Sequence, residues 1–184
     1  MTNIIQYPFV PKSTAYLREG QYWDIPLSNG QFACGRVLQF YFQNGKRHSR
    51  TFLAGLLDWC GDESPTSTTI AGCQLLQQGG VHVRTIGWNQ GAIRGWRSLD
   101  DDGLEPLLEL SQVVMNNDCM LQRGFETVRP ATLREKKMLH VFSGWGFEII
   151  KLLAEDYFVK KQPPERKLPW LEYIELLEAA EKSV

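Results

Sequence analysis

Two Asn-Gly dipeptides, Asn29-Gly30 and Asn44-Gly45, constrain the fold of the first half of the chain more than any other feature. Each pair stands between apolar runs: YWDIPL precedes the first, QFACGRVLQFYF lies between them, and RTFLAGLLDW follows the second. Asn-Gly readily adopts the positive φ angles of two-residue hairpin turns, so each pair predicts a tight antiparallel connection. The sequence therefore predicts three consecutive antiparallel strands.

Three shorter apolar segments continue the strand-like pattern as far as residue 99: IAGCQLL, VHVRTIGW and AIRGWRSL. Gly79-Gly80 predicts a turn between the first two of them. About six short strands with close turns favour a curved antiparallel sheet or a small, partly open barrel.

The pattern becomes helical after Asp100, weakly so in GLEPLLELSQVVMNND. The clearest helix begins at Thr132, which forms a capping-box pattern with Glu135. Apolar residues then recur at helical spacing: Met138, Phe142, Trp145, Ile149 and Leu152. Gly144 and Gly146 inside this helix indicate either a close approach of a neighbouring element or a kink.

A final helix is predicted from Trp170 to Ala180, with Pro169 at its start. The whole pattern indicates an α+β fold, in which a curved antiparallel sheet comes first and helices pack on it. We expect an irregular lead-in over residues 1–17, a β-rich domain over 18–118, and a helical extension over 130–182 packed on the same core.

Arg36 is the unusual residue of the second predicted strand. In an unbroken strand it shares a face with four apolar residues: Phe32, Cys34, Leu38 and Phe40. One interpretation is a bulge at Gly35 that turns Arg36 outward. The other keeps the strand regular and pairs Arg36 with a carboxylate such as Asp24 at a barrel mouth. Both interpretations are structural.

The residues around the first hairpin resemble the opening signature of the immunity protein 26 family. The matching residues are Gly20, Asp24, Pro26, Leu27, Gly30, Gly35, Arg36 and Val37. Gln21 and Asn29 stand where the family tends to have aspartate. IAGCQLLQQGGVHVRTIGW and AIRGWRSL resemble the family's second half, so the resemblance spans residues 18 to 110.

This resemblance implies a mostly β fold and the role of a cognate antitoxin in a bacterial polymorphic-toxin system. Such a protein binds the catalytic domain of a secreted toxin in the cytoplasm and blocks it. It needs no active site and no cofactor of its own. Its function lies in a complementary surface of aromatic anchors with a charged rim.

The charge distribution indicates where such a surface could lie. Residues 1–97 carry nine Lys/Arg against five Asp/Glu, a net +4, whereas residues 98–184 carry eleven against sixteen, a net −5. We predict a toxin-binding site at Trp96, Asp100, Asp101, Asp102 and Glu105. A capped, solvated loop is the alternative interpretation of this segment. A second acidic candidate is the stripe formed by Glu172, Glu175, Glu178 and Glu181.

Two other function classes remain open. A small nucleic-acid-binding β-barrel protein could use the basic segment Lys46–Arg50 beside Tyr41 and Phe42. A hydrolase could use Cys60 with a histidine, although neighbouring acids disfavour an activated thiolate. His48, His82 and His140 are scattered without metal-ligand spacing, so no metal site is predicted.

The N-terminal sequence MTNIIQYPFVPK has no basic flank followed by an apolar core, so we expect no signal peptide. No run approaches the roughly 20 apolar residues of a membrane helix. The four cysteines lack a CxxC pair, which favours reduced thiols. We therefore expect a cytoplasmic protein that makes no contact with a membrane.

Overall fold

A computed structural model describes residues 5–111 and 118–164, together with residues 174, 175, 178, 179 and 182. Over these residues the protein has an α+β fold, as the sequence predicts, with eight strands in two antiparallel sheets and short helices. The contacts divide the chain into two compact units. The first comprises Met1–Pro106 and Gly144–Pro164, and the second comprises Leu107–Ser143 and Glu165–Val184.

The first unit is built on a five-stranded antiparallel sheet with the order β4-β3-β2-β1-β5. Its strands are β1 (Gln21–Pro26), β2 (Phe32–Gln43), β3 (Lys46–Gly61), β4 (Leu75–His82) and β5 (Ile93–Trp96). Both predicted Asn-Gly hairpins are confirmed, because β2 pairs with β1 on one side and with β3 on the other. Positive φ angles occur in both turns, +86° at Gly30 and +52° and +72° at Asn44 and Gly45.

The predicted turn at Gly79-Gly80 is wrong, because both glycines lie inside β4. The first of them is explained by packing: a Cβ atom added at Gly79 would overlap the indole ring of Trp145. The predicted strand IAGCQLL begins with a turn, and only its last two residues belong to β4, which starts at Leu75. The end of VHVRTIGW forms the short helix α1 (Thr85–Trp88).

Apolar residues cover both faces of this sheet, which explains why β2 is buried almost throughout. The larger cluster contains Trp23, Val37 and Phe52. The part of the chain that returns to this unit, Gly144–Pro164, is called the returning segment and contributes Ile150 and Ala154 to the cluster. The smaller cluster contains Tyr22 and Cys34 with Leu57, Ile70 and Leu104. The sheet is therefore the central layer of the first unit.

The single long helix predicted from Thr132 to Leu152 is wrong. The chain forms α2 (Leu133–Met138) in the second unit and α3 (Ile149–Ala154), followed by a π-helical turn at Glu155–Val159, in the first. The predicted capping box is present, because Thr132 Oγ1 accepts the Glu135 N–H and Glu135 Oε2 accepts the Thr132 N–H. Between the two helices the backbone forms bridges to strands, and Trp145 N–H donates to Gly80 O at 2.7 Å.

The second unit contains a three-stranded antiparallel sheet: β6 (Leu108–Leu110), β7 (Met120–Arg123) and β8 (Glu126–Pro130). β6 replaces part of the helical pattern predicted after Asp100. A small buried cluster of Leu110 and Cys119 packs against Leu139 and Val141.

The predicted segments 1–17, 18–118 and 130–182 do not coincide with the two units. The reason is that the chain leaves the first unit after Pro106 and returns to it at Gly144. Most of the predicted helix 170–180, and Glu172 and Glu181 of the predicted acidic stripe, lie outside the described residues. Within the described residues, Glu178 forms an ion pair with Lys137.

Candidate protein-binding surface

Arg36 is completely buried on the sheet face of the smaller apolar cluster, with an exposure of 0%. Its Nη2 atom donates to Asp102 Oδ2 at 3.1 Å and to the carbonyl oxygens of Arg97 at 2.8 Å and Ser98 at 3.3 Å. The interpretation that turns Arg36 outward is therefore wrong. The other interpretation is confirmed in that Arg36 stays on the inner face and pairs with a carboxylate, but this carboxylate is Asp102 and not Asp24. The residues that bind Arg36 are more than 60 positions away along the chain, so the strand pattern could not indicate them.

Asp102 is the centre of this buried network. Its Oδ1 atom accepts the Arg97 Nε–H at 2.7 Å and the Gly72 N–H at 3.0 Å, while Oδ2 accepts from Arg36. Burial alone would raise the pKa of this carboxyl. The hydrogen bonds from Gly72 and Arg97 and the charge of Arg36 outweigh burial and hold the pKa of Asp102 below its ordinary value. Asp102 is thus a charged anchor that fixes the segment after β5 on the sheet.

Trp96, the last residue of β5, stands at the start of the segment that Asp102 fixes on the sheet. Its indole Nε1–H donates to Glu19 O at 2.8 Å, and the Arg18 guanidinium lies 4.3 Å from the ring centroid. Trp96 remains 41% exposed despite these contacts. An exposed tryptophan with a fixed orientation has the properties of an interface anchor, because little side-chain entropy is lost on binding.

The predicted acidic residues divide into two groups. Asp100, Asp101 and Glu105 are exposed, and the first two lie in a 3₁₀ turn that ends at Gly103, where φ is +61°. Asp102 lies in the same turn but has a side-chain exposure of 0%. It is therefore the internal support of the predicted surface and cannot itself contact a partner.

We define the anchored segment as residues 96–105. It presents four of the five predicted site residues to solvent: Trp96, Asp100, Asp101 and Glu105. Sequence reasoning missed two residues that support it, Arg97 and Arg18. The only sequence signal for Arg97 was an arginine five positions before Asp102, in WRSLDDD.

Asp24, in the stretch that resembles the immunity family, is a second buried carboxylate in the first unit. It accepts hydrogen bonds from the Ala92 N–H at 2.7 Å, the Arg94 Nε–H at 2.8 Å and the Ser64 hydroxyl at 3.0 Å. These contacts join β1 to the start of β5 and to the loop that follows β3. The role of Asp24 is therefore structural.

The other residues of that stretch are also structural. Gly20 has φ of +85°, donates its N–H to Val37 O at 2.8 Å and accepts the Arg97 N–H at 3.1 Å. Gly35 faces Trp23, whose indole would overlap any added Cβ atom. Pro26 ends β1, Leu27 is buried and receives the Gly30 N–H on its carbonyl, and Val37 lies in the larger cluster.

The basic segment at 46–50 belongs to β3 and is not a loop. Arg47 makes contacts within the protein. Its guanidinium lies 3.6 Å from the centroid of the Phe40 ring and donates to the carbonyl oxygens of Thr14 and Leu17. Arg50 remains exposed. Nucleic-acid binding by this segment as a whole stays a prediction.

The chemistry around Cys60 does not favour a nucleophile. Burial and the nearby charge of Asp62 raise the pKa of its thiol. Burial likewise raises the pKa of the Cys34 thiol. Among residues 5–111, 118–164 and the five described residues beyond them, no group of three or more His, Cys, Asp or Glu side chains could hold a metal ion.

Comparisons with models of protein families, with curated proteins and with solved structures find no match to this chain. None of the helices in the described part of the chain has the length and apolar character that a membrane span requires.

Proposed function

We propose that this protein is an immunity protein, which binds a cognate toxin domain stoichiometrically and neutralises it without catalysis. The observation that carries the proposal is the anchored segment, which presents Trp96 beside Asp100 and Asp101 on a support held by the buried Arg36–Asp102 pair. The resemblance of residues 18–110 to the immunity protein 26 family supports the same function.

The chemistry of the segment indicates the kind of partner. Asp100 and Asp101 are adjacent exposed carboxylates, which repel one another and gain most when a basic surface neutralises them. Trp96 adds an apolar ring that can be covered by the partner. We therefore propose a toxin domain whose contacting surface is basic and contains a pocket for an aromatic ring.

The test is a binding and protection assay with the toxin encoded by a neighbouring gene. Trp96→Ala is expected to weaken binding about 30-fold or more, as for a hot-spot residue worth 2 kcal/mol. Asp100→Lys with Asp101→Lys is expected to lower the association rate, most strongly at low salt. Asp102 must stay unchanged, because its substitution would disturb folding.

Glu63→Lys is the matched control, since Glu63 is also exposed and lies outside the anchored segment. If Glu63→Lys and the pair Asp100→Lys, Asp101→Lys lower the association rate equally, the anchored segment is not the interface. If no neighbouring toxin exists and none is recovered by the purified protein, the immunity function itself is refuted.

A further inference from the structure

A second exposed surface of the first unit combines cations with aromatic rings. We name it the basic–aromatic surface and define it as Arg50, His82, Arg84, Trp88 and Phe147. The Trp88 and Phe147 rings are stacked, with centroids 5.2 Å apart and an interplanar angle of 30°. His82 meets the same phenyl ring edge-on at 5.6 Å. Trp88 is 59% exposed, so much of its ring is open to solvent.

The fold holds these rings in place. The buried amide of Asn89 donates to the carbonyl oxygens of Phe147, at 2.6 Å, and Thr85, at 2.9 Å, and so joins α1 to the segment before α3. The Trp88 Nε1–H donates to Glu148 Oε1 at 3.3 Å. A ligand that stacks on Trp88 therefore loses little affinity to the ordering of the ring.

The cations lie where the pairing of β3 with β4 ends: Arg50 is in β3, and Arg84 follows the end of β4. Arg50 O accepts the Val83 N–H at 2.7 Å, and the Arg84 N–H donates to His82 Nδ1 at 3.1 Å. Burial and the charges of Arg50, Arg84 and His48 lower the pKa of His82. Within the described residues, neither guanidinium has a carboxylate at ion-pair distance. Both charges are thus available to an anion.

We propose that the basic–aromatic surface binds single-stranded nucleic acid, with a base stacked on Trp88 and the backbone phosphates at Arg50 and Arg84. Exposed ring faces beside arginines are the features by which proteins bind single strands without sequence preference. An acidic peptide would use the two arginines but supplies no planar group that requires Trp88. A duplex would present phosphates but keeps its bases stacked inside.

This inference does not rest on the immunity function, because it uses a different surface. It shares only Arg50 with the basic segment at 46–50. Its other members come from β4, the junction that follows it, α1 and the returning segment, and no sequence pattern groups them.

The test measures the fluorescence anisotropy of a labelled single-stranded oligonucleotide, with poly-glutamate as competitor. Trp88→Ala is expected to weaken binding about 5- to 150-fold, which corresponds to the roughly 1–3 kcal/mol of one base–aromatic stack. Trp88→Phe should recover part of this loss. Two phosphate contacts are expected to make the affinity fall about sevenfold between about 50 and 200 mM salt.

The charge-reversing pair Arg50→Glu and Arg84→Glu is expected to abolish binding, whereas Arg134→Glu, an exposed arginine of α2, should leave it unchanged. Glu148→Gln should strengthen binding, since it removes a carboxylate beside Trp88.

No binding at low salt overturns the proposal. Binding that Trp88→Ala leaves unchanged and poly-glutamate displaces also overturns it and indicates an acidic protein partner. Toxin protection by these variants should remain intact, which separates this proposal from the immunity function.

Discussion

Replacing Asp102 by asparagine tests the buried support of the anchored segment. The substitution keeps the size of the side chain and removes its charge. The guanidinium of Arg36, which is completely buried, would lose the charge of its carboxylate partner. Two of its nitrogens, Nε and Nη1, already have no hydrogen-bond partner in the described residues. An uncompensated charge would then lie inside the first unit, so we expect a large loss of stability.

The expected magnitude follows from the burial of both partners. Removing one member of a buried ion pair costs about 3–5 kcal/mol, whereas an exposed pair contributes about 0–1 kcal/mol. For a chain of this length, each kcal/mol changes the melting temperature by about 2–4 °C. Asp102→Asn should therefore lower the melting temperature by about 6–20 °C.

Urea unfolding followed by tryptophan fluorescence, together with thermal unfolding by circular dichroism, measures the effect. Asp101→Asn is the matched control, because Asp101 is exposed in the same 3₁₀ turn and should change stability by less than about 0.5 kcal/mol. If Asp102→Asn and Asp101→Asn destabilise the protein equally, the reasoning about the buried network is refuted. A double-mutant cycle with Arg36→Met should give a coupling energy of about 0.5–3 kcal/mol.

Three further predictions concern the same fold. Gly35→Ala should lower the free energy of unfolding by about 1–3 kcal/mol, because the added methyl group overlaps the Trp23 ring in a packed core, and urea unfolding measures this. Thr132→Ala should cost about 0.5–2 kcal/mol by removing the capping box with Glu135, which the same titration detects. The pKa of Asp102 is lowered in the folded state, so its contribution is present above the ordinary carboxyl pKa and is lost as the pH falls through the folded value. The stability difference between wild type and Asp102→Asn should accordingly shrink below about pH 4.

Each of these expectations has a distinct contrary outcome. A stable Gly35→Ala variant would mean that β1 and β2 are farther apart than their packing indicates. A Thr132→Ala variant without any loss would show that α2 does not depend on its cap. A stability difference that stays constant from pH 7 to about pH 3 would mean that Asp102 is not held in its charged form.

Local signals in the sequence predicted the hairpins and the helix cap well. Asn-Gly turns and the Thr132–Glu135 pair involve residues at most a few positions apart, and such local preferences persist in the folded protein. The long helix from Thr132 to Leu152 failed for the opposite reason. Its backbone hydrogen bonds go to distant strands, as in the bond from Trp145 N–H to Gly80 O.

The candidate site shows the same division. Sequence reasoning selected Trp96, Asp100, Asp101 and Glu105, and the structure places all four on the exposed side of one segment. It also assigned Asp102 to that surface, although its side chain is buried. Three consecutive aspartates look identical in a sequence, and only the contact with Arg36, which is distant along the chain, distinguishes the third.

By itself, the sequence determined the two hairpins that join β1, β2 and β3, the α+β class and the cap of α2, because each depends on neighbours in the chain. Only the tertiary structure decided the partner of Arg36, the continuity of β4 through Gly79 and the joining of Trp88 with Phe147. These features arise from contacts between residues more than 50 positions apart. Their energies come from burial and charge neutralisation, which no local pattern of residues encodes.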